Sequence, residues 1–204
     1  RRQQNRLEEE EQKLGCRSGA TEGNFVNEPD TDPTLPANRA WARQIVDPSS
    51  DPGEPTSRLV TDPSEIDAIV ERTKQAGESW SQKTGHERAE LLDKVGDALA
   101  NNRSRLISAA VFEAGKTIAE TDPEVSEAID FARYYAECAR ELDRQRSSVF
   151  TPYKTVVVTP PWNFPIAIPV GGCLAALAAG GCVILKPAPE VLRIAEVFVD
   201  VMRE

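Results

Sequence analysis

The sequence predicts an α/β fold, in which a helical half is followed by the first strand–helix–strand–helix unit of a parallel sheet. From Asp62 to Asp143, apolar residues recur at helical spacing, with capping residues and glycines between the periodic stretches. After residue 149, two apolar runs flank a stretch of small apolar residues. Such runs are typical of parallel strands that are buried on both faces. The order of these elements favours a parallel α/β sheet.

Residues 1–57 are expected to form an extended polar arm. The first 14 residues have the composition of a charged helix, and a short second helix is expected near Asn38 to Ile45. Proline, aspartate and asparagine interrupt the rest, and apolar residues are few, so this segment cannot fold alone. We expect it to wrap a larger body or to link two domains. The main domain is then residues 58–204.

Helices are predicted throughout residues 62–145. Asp62 followed by Pro63 is typical of a helix start, and Gly115 is typical of a helix end. One helix therefore opens at Asp62, and the others are predicted from His86 to Asn101, from Arg103 to Ala114 and from Asp122 to Asp143. The last is placed at Asp122 because Pro123 again suits the first helical position.

Residues 153–204 are predicted to form the β-α-β-α unit. Val156–Val158 make the first strand and Cys182–Lys186 the second, with a helix to Ala179 between them and a final helix from near Glu190. Two parallel strands do not make a stable sheet without neighbours. We therefore expect the chain to be truncated on its C-terminal side.

The net charge and the cysteines argue against several classes of function. A formal charge of −9 argues against nucleic-acid binding, which needs a basic stripe. The four cysteines form no C-x-x-C pair and His86 is the single histidine, so no metal site is expected. Cys173 and Cys182 are expected to be small buried hydrophobic residues in a reducing compartment, which favours a cytoplasmic protein. Spacing alone leaves open a catalytic pair of one cysteine with His86.

No membrane span is predicted. The segment Ile166–Leu185 has the length and apolar character of one. However, Pro169 and two glycine pairs divide it into a helix and a strand of a soluble domain. The N-terminal residues lack the apolar core of a secretory signal.

Each predicted strand delivers one polar side chain to its carboxyl end, where ligands bind in open α/β sheets. The first strand is followed by Asn163 and the second by Lys186, both in proline-rich loops that cannot extend the strands. An amide donor on a stiff loop suits stabilisation of an oxyanion, and a lysine there suits ribose or phosphate groups. The alternative is that Asn163 caps the following helix and Lys186 is solvated.

Two nucleotide-binding motifs are not matched. The stretch "EAGKT" at Glu113–Thr117 resembles the end of a phosphate-binding P-loop, but Ala110 stands where that motif requires glycine. The stretch also follows a predicted helix, whereas a P-loop follows a strand. No G-x-G-x-x-G follows the first strand, so a nucleotide bound here is not held by that fingerprint.

The stretch "PPWNFPIAIPVGGCLAALAAGGCVILKPAPE" resembles the aldehyde dehydrogenase superfamily, which carries Pro-Trp-Asn-Phe-Pro and a later Lys-Pro-(Ser/Ala). "ERAELLDKVGDAL", "EAGKTIAE" and "EAIDFARYYA" occur in the family's order, and the resemblance covers about residues 62–204. Within it, the chain resembles 1-pyrroline-5-carboxylate (glutamate-γ-semialdehyde) dehydrogenase, particularly that half of bifunctional proline-utilisation enzymes. The resemblance implies an aldehyde dehydrogenase-like fragment with a Rossmann-like sheet, truncated within the NAD-binding domain.

The resemblance implies roles for four residues at the strand ends. Asn163 matches the amide that donates to the aldehyde oxygen and stabilises the transition state. Lys186 matches the lysine that binds the adenosine ribose of NAD. Pro160 and Trp162 match positions that contact the cofactor.

Substrate positions are implied as well. Phe164 and Glu127 match positions that line the semialdehyde pocket; the alternative for Glu127 is an exposed helix carboxylate. Many relatives carry an acidic residue three positions after the lysine, but here that position is Pro189 and Glu190 follows. This departure leaves the preference between NAD and NADP open.

The resemblance places the nucleophilic cysteine, the general-base glutamate and a glycine-rich cofactor loop after the second strand, beyond Glu204. We therefore expect this chain alone to be inactive and the complete enzyme to be a homo-oligomer that acts on a small aldehyde. FAD is expected only if a proline dehydrogenase half lies upstream. The alternatives are another aldehyde or semialdehyde dehydrogenase, or a non-catalytic nucleotide-binding or assembly module.

Overall fold

The computed structural model describes residues 25–204, and the predicted charged helix at the N-terminus lies outside them. The helices are α1 (Pro36–Ile45), α2 (Pro63–Trp80), α3 (Gly85–Asn101), α4 (Arg103–Ala114), α5 (Ile118–Arg144), α6 (Ala167–Ala178) and α7 (Leu192–Arg203). The strands are β1 (Thr155–Val158) and β2 (Cys182–Leu185), and short 3-10 turns lie at Pro48–Ser50 and Pro189–Val191. This order confirms a helical half followed by a β-α-β-α unit.

The core lies where α5 packs against α3 on one side and α6 on the other. Large apolar side chains such as Leu92, Ile129 and Leu174 are fully or almost fully buried there. Small residues on α5 let the helices approach closely. At Gly85 an added Cβ would lie 1.9 Å from the Ala139 carbonyl oxygen, so only glycine fits that contact.

The prediction that the long helix begins at Asp122 is wrong, because α5 begins at Ile118. Thr117 and Glu120 form a capping box, in which each side chain accepts a hydrogen bond from the backbone N–H of the other residue. This cap starts the helix one turn earlier and leaves Pro123 inside it. Pro123 cannot donate to the carbonyl four residues before it, so α5 tolerates the loss of one helical hydrogen bond.

The other helix boundaries follow their caps. Asp62 accepts a hydrogen bond from the Ser64 N–H at 2.9 Å, which confirms the predicted start of α2. Thr84 and Glu87 form a second capping box, so α3 begins at Gly85 instead of His86. At the last helix, a 3-10 turn precedes α7, which begins at Leu192 instead of near Glu190.

The described part of the arm, residues 25–57, lies against the body. The predicted short helix is present as α1, and its Trp41 and Ile45 are buried in the core. Glu28 is buried beside Arg103, and Thr31 donates to Asp122. The division of the chain at residue 57 stays a prediction.

At the far end of the arm, Glu196 of α7 accepts hydrogen bonds from Thr56 and Ser57. Burial alone would raise the pKa of Glu196. The hydrogen bonds from Ser57, Arg193 and Thr56 outweigh that effect and lower the pKa to about 2. This carboxylate therefore fastens the arm to α7 in its ionised form.

β1 and β2 are parallel, and Val156 lies opposite Val183. The prediction that the strands are buried on both faces is wrong for this chain, because Val157 is 58% exposed. Cys182 is only half-buried, whereas Cys173 is buried as expected. Within residues 25–204, no helix combines the length and the apolar character needed to cross a membrane.

Candidate active site

The carboxyl ends of the two strands meet at one edge of the sheet. Val158 lies opposite Leu185, and the Lys186 N–H donates to the Val158 carbonyl at 2.9 Å. The loop of residues 159–166 and the loop that begins at Lys186 therefore leave the sheet side by side. This edge is the place where parallel α/β sheets bind ligands.

The loop after β1 exposes three consecutive side chains. Trp162 is 55% exposed and Phe164 is 46% exposed, and Asn163 between them is also exposed. Among residues 25–204, no group accepts from or donates to the Asn163 side-chain amide at hydrogen-bonding distance. The amide is therefore available to a ligand, and large apolar side chains stand on both sides of it.

Asn163 does not cap the helix that follows. The N-cap position of α6 is Ile166, whose side chain makes no capping hydrogen bond. Instead Oε2 of Glu124 accepts hydrogen bonds from the Ile166 N–H at 3.1 Å and from the Ala167 N–H at 3.4 Å. A carboxylate from α5 thus satisfies free N–H groups at the start of α6, where negative charge is stabilising.

Lys116 holds the loop from the same side. Its Nζ donates to the Asn163 carbonyl oxygen at 2.9 Å and lies 4.9 Å from the centre of the Phe164 ring. It also pairs with Glu124, and the side chains of Lys116 and Glu124 are only 14% and 3% exposed. Gly115, in the left-handed conformation with φ of 64°, ends α4 directly before this lysine.

Lys116 and Glu124 are not among the residues that the sequence predicts for the site. The stretch "EAGKT" resembles the end of a phosphate-binding loop, whereas its lysine binds a loop 47 residues away. Glu124 follows Pro123 in the middle of a charged stretch, which is usually solvent-exposed. A lysine directly after a helix-ending glycine is the only local signal.

Glu127 lies on the part of α5 that runs beside α6. Glu124, one turn before it, caps α6, and Phe131, one turn after it, packs against Gly171 of α6. Glu127 is exposed, and within residues 25–204 no ion pair or hydrogen bond engages its carboxylate. Glu127 thus lies on α5 between two residues that contact α6, and its carboxylate has no partner among residues 25–204.

Lys186 is exposed at the end of β2, and its Nζ donates only weakly to the adjacent Pro187 carbonyl, at 3.3 Å. Pro160 is half-buried in the neighbouring loop. Among residues 25–204, no carboxylate pairs with the Lys186 ammonium, which suits the sugar hydroxyls and phosphates of a nucleotide. Lys186, Trp162 and Pro160, which the sequence predicts to bind a cofactor, therefore lie in the two loops at this edge.

A nucleophile is absent from the described part of the site. Cys173 is buried within α6, and burial raises the pKa of its thiol to about 12, so it does not form a thiolate near neutral pH. His86 is exposed on α3 and lies 3.4 Å from Glu90. Across residues 25–204, no group of three or more His, Cys, Asp or Glu side chains is arranged to hold a metal ion.

The sequence and the structure of the chain were compared with those of known proteins. Residues 44–204 match the model of the aldehyde dehydrogenase family. The 1-pyrroline-5-carboxylate dehydrogenase of Staphylococcus haemolyticus is 34% identical over 150 residues, which cover 69% of this chain and 29% of that protein. The bifunctional protein PutA of Escherichia coli is 36% identical over 142 residues, which cover 70% of this chain and 11% of that protein.

Solved structures give the same result. Proline utilization A (PutA) from Corynebacterium freiburgense superposes with a TM-score of 0.75 at 49% identity, covering 90% of this chain and 18% of that one. A 1-pyrroline-5-carboxylate dehydrogenase from Thermus with bound NAD superposes with a TM-score of 0.74 at 25% identity, covering 89% of this chain and 44% of that one. The chain thus spans less than half of the length of each of these relatives.

Proposed function

Since the chain belongs to the aldehyde dehydrogenase family, we propose that it forms part of an NAD-dependent dehydrogenase that oxidises L-glutamate γ-semialdehyde (1-pyrroline-5-carboxylate) to L-glutamate. Relatives named 1-pyrroline-5-carboxylate dehydrogenase and PutA support this choice over other aldehyde dehydrogenases. A homo-oligomeric state and a cytoplasmic location belong to the same proposal. FAD enters it only for a protein that also carries a proline dehydrogenase half.

One observation carries the proposal: the Asn163 amide is exposed at the ligand-binding edge of the sheet while its backbone is held by Lys116. When a nucleophile attacks an aldehyde, negative charge develops on the carbonyl oxygen. A fixed amide N–H that points at this oxygen stabilises the transition state without reorganising during the reaction. We assign that donor role to Asn163.

Lys186, Trp162 and Pro160 are proposed to hold NAD, which when bound supplies the acceptor for the hydride. The exposed ammonium of Lys186 at the end of β2 suits the adenosine ribose. The residue three positions after it is Pro189, which offers no carboxylate to a ribose hydroxyl. We retain NAD in the proposal because the Thermus relative was solved with NAD.

Glu127 and Phe164 are proposed to contact the substrate. The semialdehyde carries an α-ammonium group, and Glu127 is an exposed carboxylate with no partner among residues 25–204. Phe164 is half-exposed next to Asn163 and offers an apolar surface to the methylene chain. Together they would favour an aldehyde that has an aliphatic stem and an ammonium group at its far end.

The substrate assignment is tested with the complete gene product. We expect kcat/KM for L-glutamate γ-semialdehyde with NAD to exceed that for propanal or hexanal by at least about 10²-fold, because simple aldehydes leave Glu127 without a partner. NADH formation is followed by its absorbance. Equal rates with simple aldehydes would move the assignment to a general aldehyde dehydrogenase, and no oxidation of any aldehyde would favour a binding or assembly module.

The 204-residue chain by itself is predicted to be inactive. Among residues 25–204, neither Cys138, Cys173 nor Cys182 belongs to the loops that carry Asn163 and Lys186, so none is placed to attack the aldehyde. We expect no NADH above the rate of a blank without protein. Turnover by this chain alone would contradict the prediction.

A further inference from the structure

Lys116 and Glu124 form an almost buried ion pair at the start of α5. The pair lies against the loop that carries Asn163. Its two side chains are 14% and 3% exposed. Burying two charges carries a large desolvation cost, and an apolar pair of similar volume often stabilises a protein equally well. The polar contacts that the pair makes therefore need an explanation beyond stability.

Those contacts converge on one loop. Lys116 donates to the Asn163 carbonyl oxygen at 2.9 Å and lies over the Phe164 ring. Glu124 accepts from the N–H groups of Ile166 and Ala167, directly after the loop. The backbone at the Asn163 carbonyl and at residues 166 and 167 is thus held by charged groups from a different part of the chain.

A contact to the Asn163 carbonyl fixes the peptide plane from which the side chain projects. The side-chain amide itself has no partner among residues 25–204, so its direction depends on the backbone that carries it. An oxyanion donor contributes fully only when its distance to the developing charge is held within a few tenths of an ångström. A displacement of about 1 Å costs on the order of 10² in rate.

We propose that Lys116 and Glu124 are positioning residues that hold the Asn163 amide in its donating direction. The inference rests on the proposed function, in which Asn163 donates to the aldehyde oxygen. It adds that the lysine of "EAGKT" acts on the reaction through Asn163, without touching substrate or cofactor.

The test is a double-mutant cycle on kcat in the complete gene product. We expect Lys116→Met to lower kcat by about 10- to 100-fold, with KM for NAD changed less than about threefold because the Lys186 loop is not touched. In an Asn163→Ala background, the same change should lower kcat by less than about threefold, since the group that it positions is already gone. Lys116→Arg keeps both the positive charge and a hydrogen-bond donor, so this variant should retain most of the wild-type kcat.

Controls separate positioning from general damage. Lys74→Met removes an exposed lysine that pairs with Glu71 on α2, and it should leave kcat unchanged. Lys116→Met leaves Glu124 buried without its partner, so the double variant Lys116→Met/Glu124→Gln is measured as well. It removes both charges, keeps an acceptor for α6, and should show the same loss of kcat.

Equal losses of kcat from Lys116→Met in the wild-type and Asn163→Ala backgrounds would overturn the positioning role, as would no loss at all. A wild-type protein that oxidises no aldehyde would overturn the proposed function instead. In that case, hydrogen exchange of the Ile166 and Ala167 amides, which donate to Glu124, still tests the geometry. Exchange there should be at least about tenfold faster in Lys116→Met than in Lys74→Met, and equal exchange would overturn the inference.

Discussion

At the loop after β1, the side chains that face solvent and the side chains that hold the backbone belong to different parts of the sequence. Trp162, Asn163 and Phe164 are exposed, whereas Lys116 and Glu124, which bind this loop and the start of α6, are almost buried. This division leaves the Asn163 amide free for a ligand while its position is fixed. A local motif thus depends on distant charged residues for its geometry.

Glu196 gives a residue-level prediction on stability. Hydrogen bonds from Ser57, Arg193 and Thr56 outweigh burial and lower its pKa from 4.5 to about 2. The folded state therefore favours the ionised carboxylate. This contribution is present above about pH 4.5 and is lost as the pH falls towards about 2.

We expect Glu196→Gln to lower the free energy of unfolding by about 1–2 kcal/mol at pH 7, because charge-assisted hydrogen bonds become neutral ones. Urea denaturation at several pH values measures the difference. It should shrink as the pH falls below about 4.5. Glu190→Gln, at an exposed glutamate, is the control and should change little. A difference between wild type and Glu196→Gln that is the same at pH 3 and pH 7 would contradict this account.

At the scale of elements, α5 shows how two start signals compete. Asp122 and Pro123 have the pattern of a helix start, but the capping box of Thr117 and Glu120 begins the helix earlier. Asp122 is then free to accept hydrogen bonds from Arg103 and from Thr31 of the arm. Glu124, in the second turn of α5, accepts from the N–H groups at the start of α6 and acts as a cap there.

The packing of α3 against α5 gives a prediction on two glycines of α3. At Gly85 an added Cβ would meet the Ala139 carbonyl oxygen at 1.9 Å, whereas at Gly96 the nearest atom is the Ala132 Cβ at 3.4 Å. We expect Gly85→Ala to destabilise the protein by about 3 kcal/mol or more, since backbone atoms must shift. Gly96→Ala should change stability by less than about 1 kcal/mol, because helix propensity offsets the tight contact.

Thermal and urea unfolding of both variants measures this difference. The two glycines lie on the same helix and face the same partner, so each serves as the control for the other. Equal stability of the two variants would show that α3 and α5 do not approach as closely as described.

For the whole molecule, the sequence was sufficient to predict the order of elements and the meeting of the strand ends. Asn163 and Lys186 follow apolar runs separated by a helix, and parallel strands bring such positions to one edge. Glu124 could not be found in this way, because its contact to Ile166 joins residues 42 positions apart. The spacing of apolar residues shows which face of a helix is buried, but it does not show which distant loop that face contacts.

Exposure was harder to predict than secondary structure. Val157 belongs to a β-branched run typical of a strand buried on both faces, yet it is 58% exposed in this chain. A run of β-branched residues is typical of a strand that has neighbours on both faces. The chain spans 29% of the length of its Staphylococcus haemolyticus relative, so the neighbours that such a strand has in the longer protein are not all part of this chain. The burial of a strand depends on neighbours as well as on its own residues.

Asn163 is proposed to donate a hydrogen bond to the aldehyde oxygen in the transition state. The most direct test is kcat of Asn163→Ala in the complete gene product, with Asn101→Ala, an exposed asparagine at the end of α3, as the control. We predict a loss of about 10²–10³ in kcat for Asn163→Ala and none for Asn101→Ala. An unchanged kcat for Asn163→Ala would contradict the claim.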